Sequence, residues 1–194
     1  MTETLTALVV DDDRDIADLY ATWLAMDYET RTAYSGEEAL QRVGDEVDIV
    51  FLDRRMPDRT GDEVLERIRE RGLDCRVVMV TAVDPDFDIV SMEFDDYLTK
   101  PVLREDLTAI IEQLREREEY SQTIQKLFSL TSKKAALEAE KTPSELEDNE
   151  EYQELLEHVD ALEAEADPTT TNLEDDYESL FLELPRGRPR EDDQ

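Results

Sequence analysis

Five side chains that could take part in phosphoryl chemistry come directly after short apolar runs of the sequence. They are Asp11, Asp12, Asp53, Thr81 and Lys100. Carboxylates held close together repel one another, which raises their pKa unless a cation lies between them. Magnesium suits such a site, because it binds a few carboxylates together with water and phosphate oxygens. A carboxylate nucleophile with a metal ion, an ammonium and a hydroxyl is what an aspartyl phosphate needs. We therefore predict that Asp53 accepts a phosphoryl group.

These side chains can meet only if the apolar runs before them form one parallel sheet. The carboxyl ends of parallel strands converge at one edge of a sheet. Strand and helix patterns alternate through residues 5–114, which predicts a doubly wound α/β fold with right-handed crossovers. The predicted strands are 5–10, 28–34, 47–52, 76–80 and 96–99. Residues 83–94 include Asp84-Pro85-Asp86 and have little helical periodicity, so we expect a short or poorly formed helix there.

The second half of the chain has no strand pattern. Apolar residues from Ile124 to Leu137 recur at helical spacing. Thr142-Pro143-Ser144-Glu145 is a helix start with a capping box, and it predicts one helix to about Ala166. Two helices joined near residue 141 favour an antiparallel α-helical hairpin. The sequence thus predicts three parts, namely an α/β domain over 1–118, a helical domain over 119–167 and a partly disordered acidic tail over 168–194.

The charge of the chain limits its partners. Its formal net charge is −32, with 53 acidic residues against 21 Lys and Arg. Clustered Lys and Arg are needed to bind nucleic acid or an anionic membrane, so both partners are disfavoured. Acid-rich, Lys-poor composition resembles cytoplasmic proteins of salt-in halophiles. Cys75 is the only cysteine, and neither a membrane-length apolar run nor a signal peptide is visible, so we expect a cytoplasmic protein.

The order of these motifs resembles the receiver domain of two-component response regulators, over residues 5 to about 116. The matching stretches are Asp11-Asp12 after Leu8-Val9-Val10, Leu52-Asp53-x-x-Met56-Pro57-x-x-x-Gly61, Val80-Thr81-Ala82 and Asp95-Asp96-Tyr97-Leu98-Thr99-Lys100-Pro101. Each motif alone is weak, but the set in this order is specific. The resemblance implies a flavodoxin-like, five-stranded parallel sheet.

Roles for individual residues follow from this resemblance. It implies that a sensor histidine kinase phosphorylates Asp53, and that Mg²⁺ is held by Asp11, Asp12, Asp53 and the backbone carbonyl of Arg55. Lys100 would hold the phosphoryl oxygens across from the metal. Apart from slow self-dephosphorylation, no enzymatic activity is expected.

The resemblance also implies a switch. Thr81 would move toward the phosphoryl group, and Tyr97 would swing inward with it. The Lys100-Pro101 bond is often cis in such proteins. The segment between Thr81 and Lys100 departs from the pattern: it is shorter than in most receivers, and Met92-Glu93-Phe94 replaces a turn that usually contains glycine.

The second half resembles the helical HalX domain, which follows receivers in halophilic archaea. The matching residues are Ser132 to Lys141, Glu151-Tyr152 and the leucines that follow. This resemblance brings no established biochemical activity. We expect this domain to engage an unidentified protein partner or a second copy of the chain in a homodimer. The basic cluster Lys133, Lys134 and Lys141 is expected to pair with acids on its own helix faces.

Two other functions are compatible with parts of the sequence. A Mg²⁺-dependent phosphohydrolase of the haloacid-dehalogenase type would use Asp11-Asp12-Asp13 as nucleophile and acid/base. This mechanism assigns no role to Asp53. The motif of such enzymes also has Thr or Val at the position where this sequence has Asp15. A DNA-binding transcriptional regulator is disfavoured, because no basic recognition helix is visible after residue 115. Asp13 and Asp15 are interpreted as surface acids.

Overall fold

The strands and helices alternate as the sequence predicts. A computed structural model describes residues 5–117 and 122–165. Within them, the strands and the α-helices of the first part are β1 Thr6–Val10, α1 Arg14–Leu24, β2 Glu29–Ala33, α2 Gly36–Arg42, β3 Ile49–Leu52, α3 Gly61–Glu70, β4 Arg76–Thr81, β5 Asp96–Thr99 and α4 Arg104–Arg117. The second part consists of α5 Gln122–Glu140, α6 Pro143–Glu147 and α7 Glu150–Glu165. None of the described helices combines the length and apolar character needed to cross a membrane.

The five strands form one parallel sheet in the order β2-β1-β3-β4-β5. Val10 pairs with Leu52, and Thr81 pairs with Thr99. The ends of neighbouring strands are therefore aligned at one edge of the sheet. β1 and β3 are buried along their whole length, as expected of near-continuous apolar runs in a parallel sheet covered on both faces. The predicted fold class is confirmed.

Each face of the sheet has its own core. Helices α1 and α4 cover one face, where residues such as Leu24, Phe51 and Ile110 are fully buried. Helices α2 and α3 cover part of the other face. Leu127 of α5 and Leu155 of α7 belong to the core on that second face, so the helical part of the chain is packed against the sheet.

The segment between β4 and β5 is short, as predicted. It contains only the 3₁₀ helix Phe87–Ser91, with Asp86 as its N-cap. A full helix would cover β4 and β5 on this face. Here α5 contacts both β5 and the 3₁₀ helix, and α7 contacts the 3₁₀ helix. The hairpin thus lies where the shortened segment leaves the sheet uncovered.

The helix predicted from Thr142 to about Ala166 is in fact two helices. Glu145 Oε2 accepts the Thr142 N–H at 2.9 Å, so the predicted helix start is confirmed. The helix then ends at Glu147, and Asn149 Oδ1 accepts the Tyr152 N–H at 2.8 Å, which caps a second helix. The apolar pattern of the sequence continues unbroken past Asn149, so it predicted a single helix. That prediction was wrong because Asn149 is a favourable N-cap residue and starts a new helix. The predicted tail over 168–194 lies outside the described residues.

Candidate functional site

The residues predicted to carry chemistry lie at one edge of the sheet, and main-chain bonds hold three of them there. The Asp53 N–H donates to the carbonyl of Val10 at 2.9 Å, and the Lys100 N–H donates to the carbonyl of Thr81 at 2.8 Å. These bonds extend the strand ladders by one residue, so the side chains that follow the strands have defined positions. Asp11, Asp53 and Thr81 are all buried, with 3%, 5% and 1% of their surface exposed.

The Lys100 ammonium joins the two buried carboxylates. Its Nζ donates to Asp11 Oδ2 at 2.5 Å and to Asp53 Oδ1 at 2.9 Å. Burial acts to lower the pKa of Lys100, but the hydrogen bonds to the two carboxylates raise it above the ordinary value. Burial raises the pKa of Asp11, against the influence of Lys100. The ammonium therefore balances negative charge that the protein interior disfavours. The Lys100-Pro101 peptide bond is cis, as the resemblance implies.

The loop after β3 shapes the surroundings of Asp53. Asp53 Oδ2 accepts the N–H of Arg55 at 2.8 Å, so both carboxylate oxygens have partners. Gly61 lies against the start of this loop, and a Cβ there would be 2.3 Å from the Asp53 carbonyl oxygen. Only glycine allows this close approach of two main-chain segments. Thr60 caps α3 through a capping box with Glu63, which fixes the end of the loop.

The adjacent acids differ in position. Asp12 is exposed, and Asp13 Oδ1 accepts the N–H groups of Asp15 and Ile16 at 3.0 and 3.3 Å as the N-cap of α1. Asp13 is therefore a capping residue as well as a surface acid. An Asp before a helix pattern is a known cap signal, which the interpretation of Asp13 as a plain surface acid overlooked.

The carboxylates at this edge of the sheet match some of the needs of a metal ion. Among residues 5–117 and 122–165, no three His, Cys, Asp or Glu side chains lie close enough together to hold one. Asp11 and Asp53 nevertheless converge on one cation, the Lys100 ammonium. Mg²⁺ is commonly bound through one or two carboxylates, with water and phosphate oxygens as its other ligands. The pair fits that type of site, whereas Asp12 is not brought into the cluster.

Thr81 and Tyr97 both hold the main chain of Val83. Thr81 Oγ1 accepts the Val83 N–H at 3.3 Å, and Tyr97 Oη donates to the Val83 carbonyl at 2.7 Å. Burial raises the pKa of Tyr97 to about 12, although the charge of Arg54 acts to lower it. The two residues with predicted switch roles thus meet at one peptide segment between β4 and the 3₁₀ helix.

Arg54 is a buried residue of the site that the sequence analysis missed. Its guanidinium pairs with Asp62 at 2.9 Å and also with Asp88 of the 3₁₀ helix. Burial opposes the charge, but the two carboxylates raise the pKa of Arg54 above its ordinary value. In sequence, only its position directly after Asp53 distinguishes Arg54 from the many other arginines. Its partners Asp62 and Asp88 are eight and 34 residues away, so the sequence around Arg54 does not show the pairing.

Comparison with known families agrees with this geometry. Residues 7–112 match the response regulator receiver domain, and residues 116–181 match the HalX domain. The chain belongs to the response regulator receiver family. Both predicted resemblances, to the receiver domain and to the HalX domain, are therefore confirmed.

Curated relatives share part of the chain. A candidate transcriptional regulator of Haloferax volcanii is 47% identical over 174 residues, which are 89% of this chain and 30% of that protein. The transcriptional regulatory protein DltR of Streptococcus agalactiae is 36% identical over 116 residues, covering 57% of this chain and 51% of that protein. The chain thus spans about half the length of these relatives or less. The Haloferax relative supports the halophilic interpretation of the composition.

Solved structures resemble the first part of the chain. The beryllofluoride-activated receiver domain of DrrB from Thermotoga maritima is 29% identical with a TM-score of 0.54, covering 59% of this chain and 99% of that one. A CheY-like receiver domain from Methanospirillum hungatei is also 29% identical, with a TM-score of 0.55 and coverages of 60% and 98%. These likenesses confirm the flavodoxin-like receiver fold.

Proposed function

We propose that this chain is a two-component response regulator in which Asp53 accepts a phosphoryl group from a sensor histidine kinase. The observation that carries this proposal is the buried arrangement in which Lys100 Nζ contacts both Asp11 and Asp53. In the transfer, a carboxylate oxygen of Asp53 bonds to phosphorus while the bond from phosphorus to the kinase histidine breaks. Lys100 then neutralises a phosphoryl oxygen, and the Thr81 hydroxyl donates to another.

Magnesium is the proposed cofactor. Asp11, Asp53 and the backbone carbonyl of Arg55 are the residues proposed to hold it. Asp12, which is exposed, is proposed to join them only when the ion is bound. When bound, the ion neutralises charge on the transferred group. Asp11 contributes a carboxylate whose burial makes a neighbouring cation favourable. The beryllofluoride-activated DrrB receiver supports a site of this type by its likeness.

The output is proposed to pass from the receiver to the helical part. We propose domain limits of 1–118 for the receiver, 119–167 for the HalX-like domain and 168–194 for an acidic tail. Phosphorylation would shift the receiver between two conformations through Thr81 and Tyr97, and the helical domain would engage a protein partner or a second copy of the chain. The protein would act in the cytoplasm as a signalling protein without substrate turnover.

Binding of beryllofluoride with Mg²⁺ tests the proposed phosphorylation site. Fluorine NMR at multimolar salt should show a bound species with the wild type and none with Asp53→Ala. Asp15→Ala is the matched control, because it removes an exposed acid near the site and should leave binding unchanged. Equal binding by Asp53→Ala and the wild type would refute the proposal.

Regulation of transcription is a second candidate, favoured by the names of two relatives. Two lysines of the helical part are engaged by the receiver. Lys133 donates to main-chain carbonyls of the receiver, and Lys141 pairs with Asp86 at 2.8 Å. The predicted pairing of these lysines along their own helices was therefore wrong for both. A regulator built this way would act on transcription through a protein partner. A DNA-binding titration at several salt concentrations tests this: direct contact with DNA would give binding that weakens as salt rises, whereas action through a partner would give no binding.

A further inference from the structure

Helix α5 is buried on more sides than the two cores account for. One side carries Ser129 and Lys133, which donate to main-chain carbonyls between β4 and β5. Another carries Leu127 and Leu130, which share a core cluster with Leu155 of α7. A third face consists of residues spaced by four positions, and such residues lie one above the other on a helix. They are Ile124, Phe128 and Ser132.

This third face is covered, although not by either core. All three of its residues are buried, and no part of Phe128 is exposed. Neither Ile124 nor Phe128 belongs to the two apolar clusters formed within residues 5–117 and 122–165. The third face is therefore an apolar surface whose cover comes from another segment.

Two buried polar atoms at this end of the helical part also lack a partner. Ser132 Oγ of the third face and Gln113 Oε1 near the end of α4 have no hydrogen-bond partner within the described residues. The end of α4 lies beside the start of α5, since Leu114 and Gln125 line one small pocket. A buried polar atom without a hydrogen bond costs free energy. The missing cover should therefore supply a polar group as well as apolar side chains.

The chain that follows α7 begins beside the third face. Tyr152 Oη donates to Glu138 Oε1 at 2.7 Å, so the start of α7 lies beside the end of α5. Both helices rise about 1.5 Å per residue, so Glu165 at the end of α7 lies near the start of α5, where Ile124 is. Residues 166–194 thus begin at one end of the third face.

The link between α4 and α5 leads to the same end but is too short to be the cover. Residues 118–121 span at most about 14 Å when extended, and they must join two helices. Ser132 lies about 15 Å along α5 from Gln122. The segment after α7 is therefore the one with enough length to run along the whole face.

Residues 173–184 have the pattern that such a cover needs. Acids at Glu174 and Asp175 are favourable in the first turn of a helix. As a helix this stretch would be about 16 Å long, against about 12 Å from Ile124 to Ser132. The HalX match extends to residue 181, so the matched domain includes most of the stretch. Its apolar residues at helical spacing are Leu173, Tyr177, Leu180, Phe181 and Leu184.

We propose that residues 173–184 fold back as a helix and dock on the third face of α5 in the same chain. Tyr177, within the apolar stripe, brings a hydroxyl that can both donate and accept, which suits Ser132. The HalX domain is then one unit of α5, α6, α7 and this docked segment. Acids on the opposite side of the segment, such as Asp175 and Glu178, give the unit an acidic outer surface.

Hydrogen exchange of the full chain at multimolar salt tests the docking with a matched pair of variants. Leu180→Asp puts a charge in the apolar stripe, whereas Leu182→Asp puts the same charge on the opposite side of the same helix. Amides of 124–132 should exchange faster by on the order of tenfold in Leu180→Asp, because the charge cannot be buried without a partner. They should keep the wild-type rate in Leu182→Asp. Equal rates in the two variants would overturn the proposal.

A photo-crosslinker identifies the surface and the chain to which the segment binds. Benzoylphenylalanine in place of Phe181 should crosslink to residues 113–132 within one chain, giving a product of monomer mass. The same group in place of Leu182 should not crosslink there. Products of dimer mass would show that a second copy covers the face and would overturn docking within one chain. Absence of a crosslink from position 181, or a crosslink to another region, would also overturn it.

Discussion

Stability should depend on pH through Lys133, whose ammonium is buried between the hairpin and the receiver. Only 4% of Lys133 is exposed. Burial lowers its pKa from 10.5 to about 8, although the charges of Glu93 and Asp95 act to raise it. The hydrogen-bond acceptors described for its Nζ are carbonyl oxygens, which neutralise a charge less well than a carboxylate would. The folded protein therefore releases this proton more readily than the unfolded chain does.

The sign and size of the effect follow from proton linkage. Between the two pKa values the unfolded chain binds a proton at Lys133 that the folded protein does not bind, so the free energy of unfolding rises with pH. A folded pKa of about 8 against 10.5 when unfolded gives a rise of about 2 kcal/mol from about pH 7.5 to about pH 9.5. Below the folded pKa, the lysine is charged in both states and the pH dependence from this residue disappears.

Urea unfolding at constant multimolar salt measures this effect. Lys133→Met removes the titrating group, so the wild-type free energy of unfolding minus that of the variant should rise by about 2 kcal/mol over that pH range. Groups such as Cys75, whose pKa burial raises, titrate alike in both proteins and cancel in the difference. Lys134→Met, a change at the neighbouring and less buried lysine of the same helix, should track the wild type. A flat or falling difference for Lys133→Met would refute the reasoning.

Three further predictions concern the site and its loop. Lys100→Met leaves Asp11 and Asp53 as buried carboxylates without their ammonium. It should lower stability at neutral pH by about 3 kcal/mol, and unfolding curves should show the loss shrinking as pH falls, because the folded state then takes up a proton at Asp11, whose pKa burial raises. Gly61→Ala should weaken beryllofluoride binding measured by fluorine NMR and cost about 1–3 kcal/mol of stability, since its Cβ would clash with the Asp53 carbonyl. Thr60→Ala should cost about 1 kcal/mol through loss of the α3 cap while leaving the bound fluorine signal intact.

The sheet and the positions of the site residues could be predicted from the sequence because their causes are local. A buried parallel strand needs an apolar run, and the polar residue after the run must lie at the carboxyl edge of the sheet. Asp11, Asp53, Thr81 and Lys100 were placed correctly by this rule. The caps at Thr60 and Thr142 likewise depend on residues three positions apart.

Contacts between distant segments were decided only by the tertiary structure. Lys133 reaches carbonyls 41 and 43 residues away, and nothing in the sequence around it distinguishes it from Lys134. Arg54 finds Asp88 because the 3₁₀ helix passes beside the β3–α3 loop. The packing of the hairpin on β4 and β5 was likewise not visible in its helical pattern, because periodicity shows which face of a helix is apolar and does not show what covers it. The sequence thus determined where the proposed phosphorylation site lies, and the packing of distant segments decided which of them surround it.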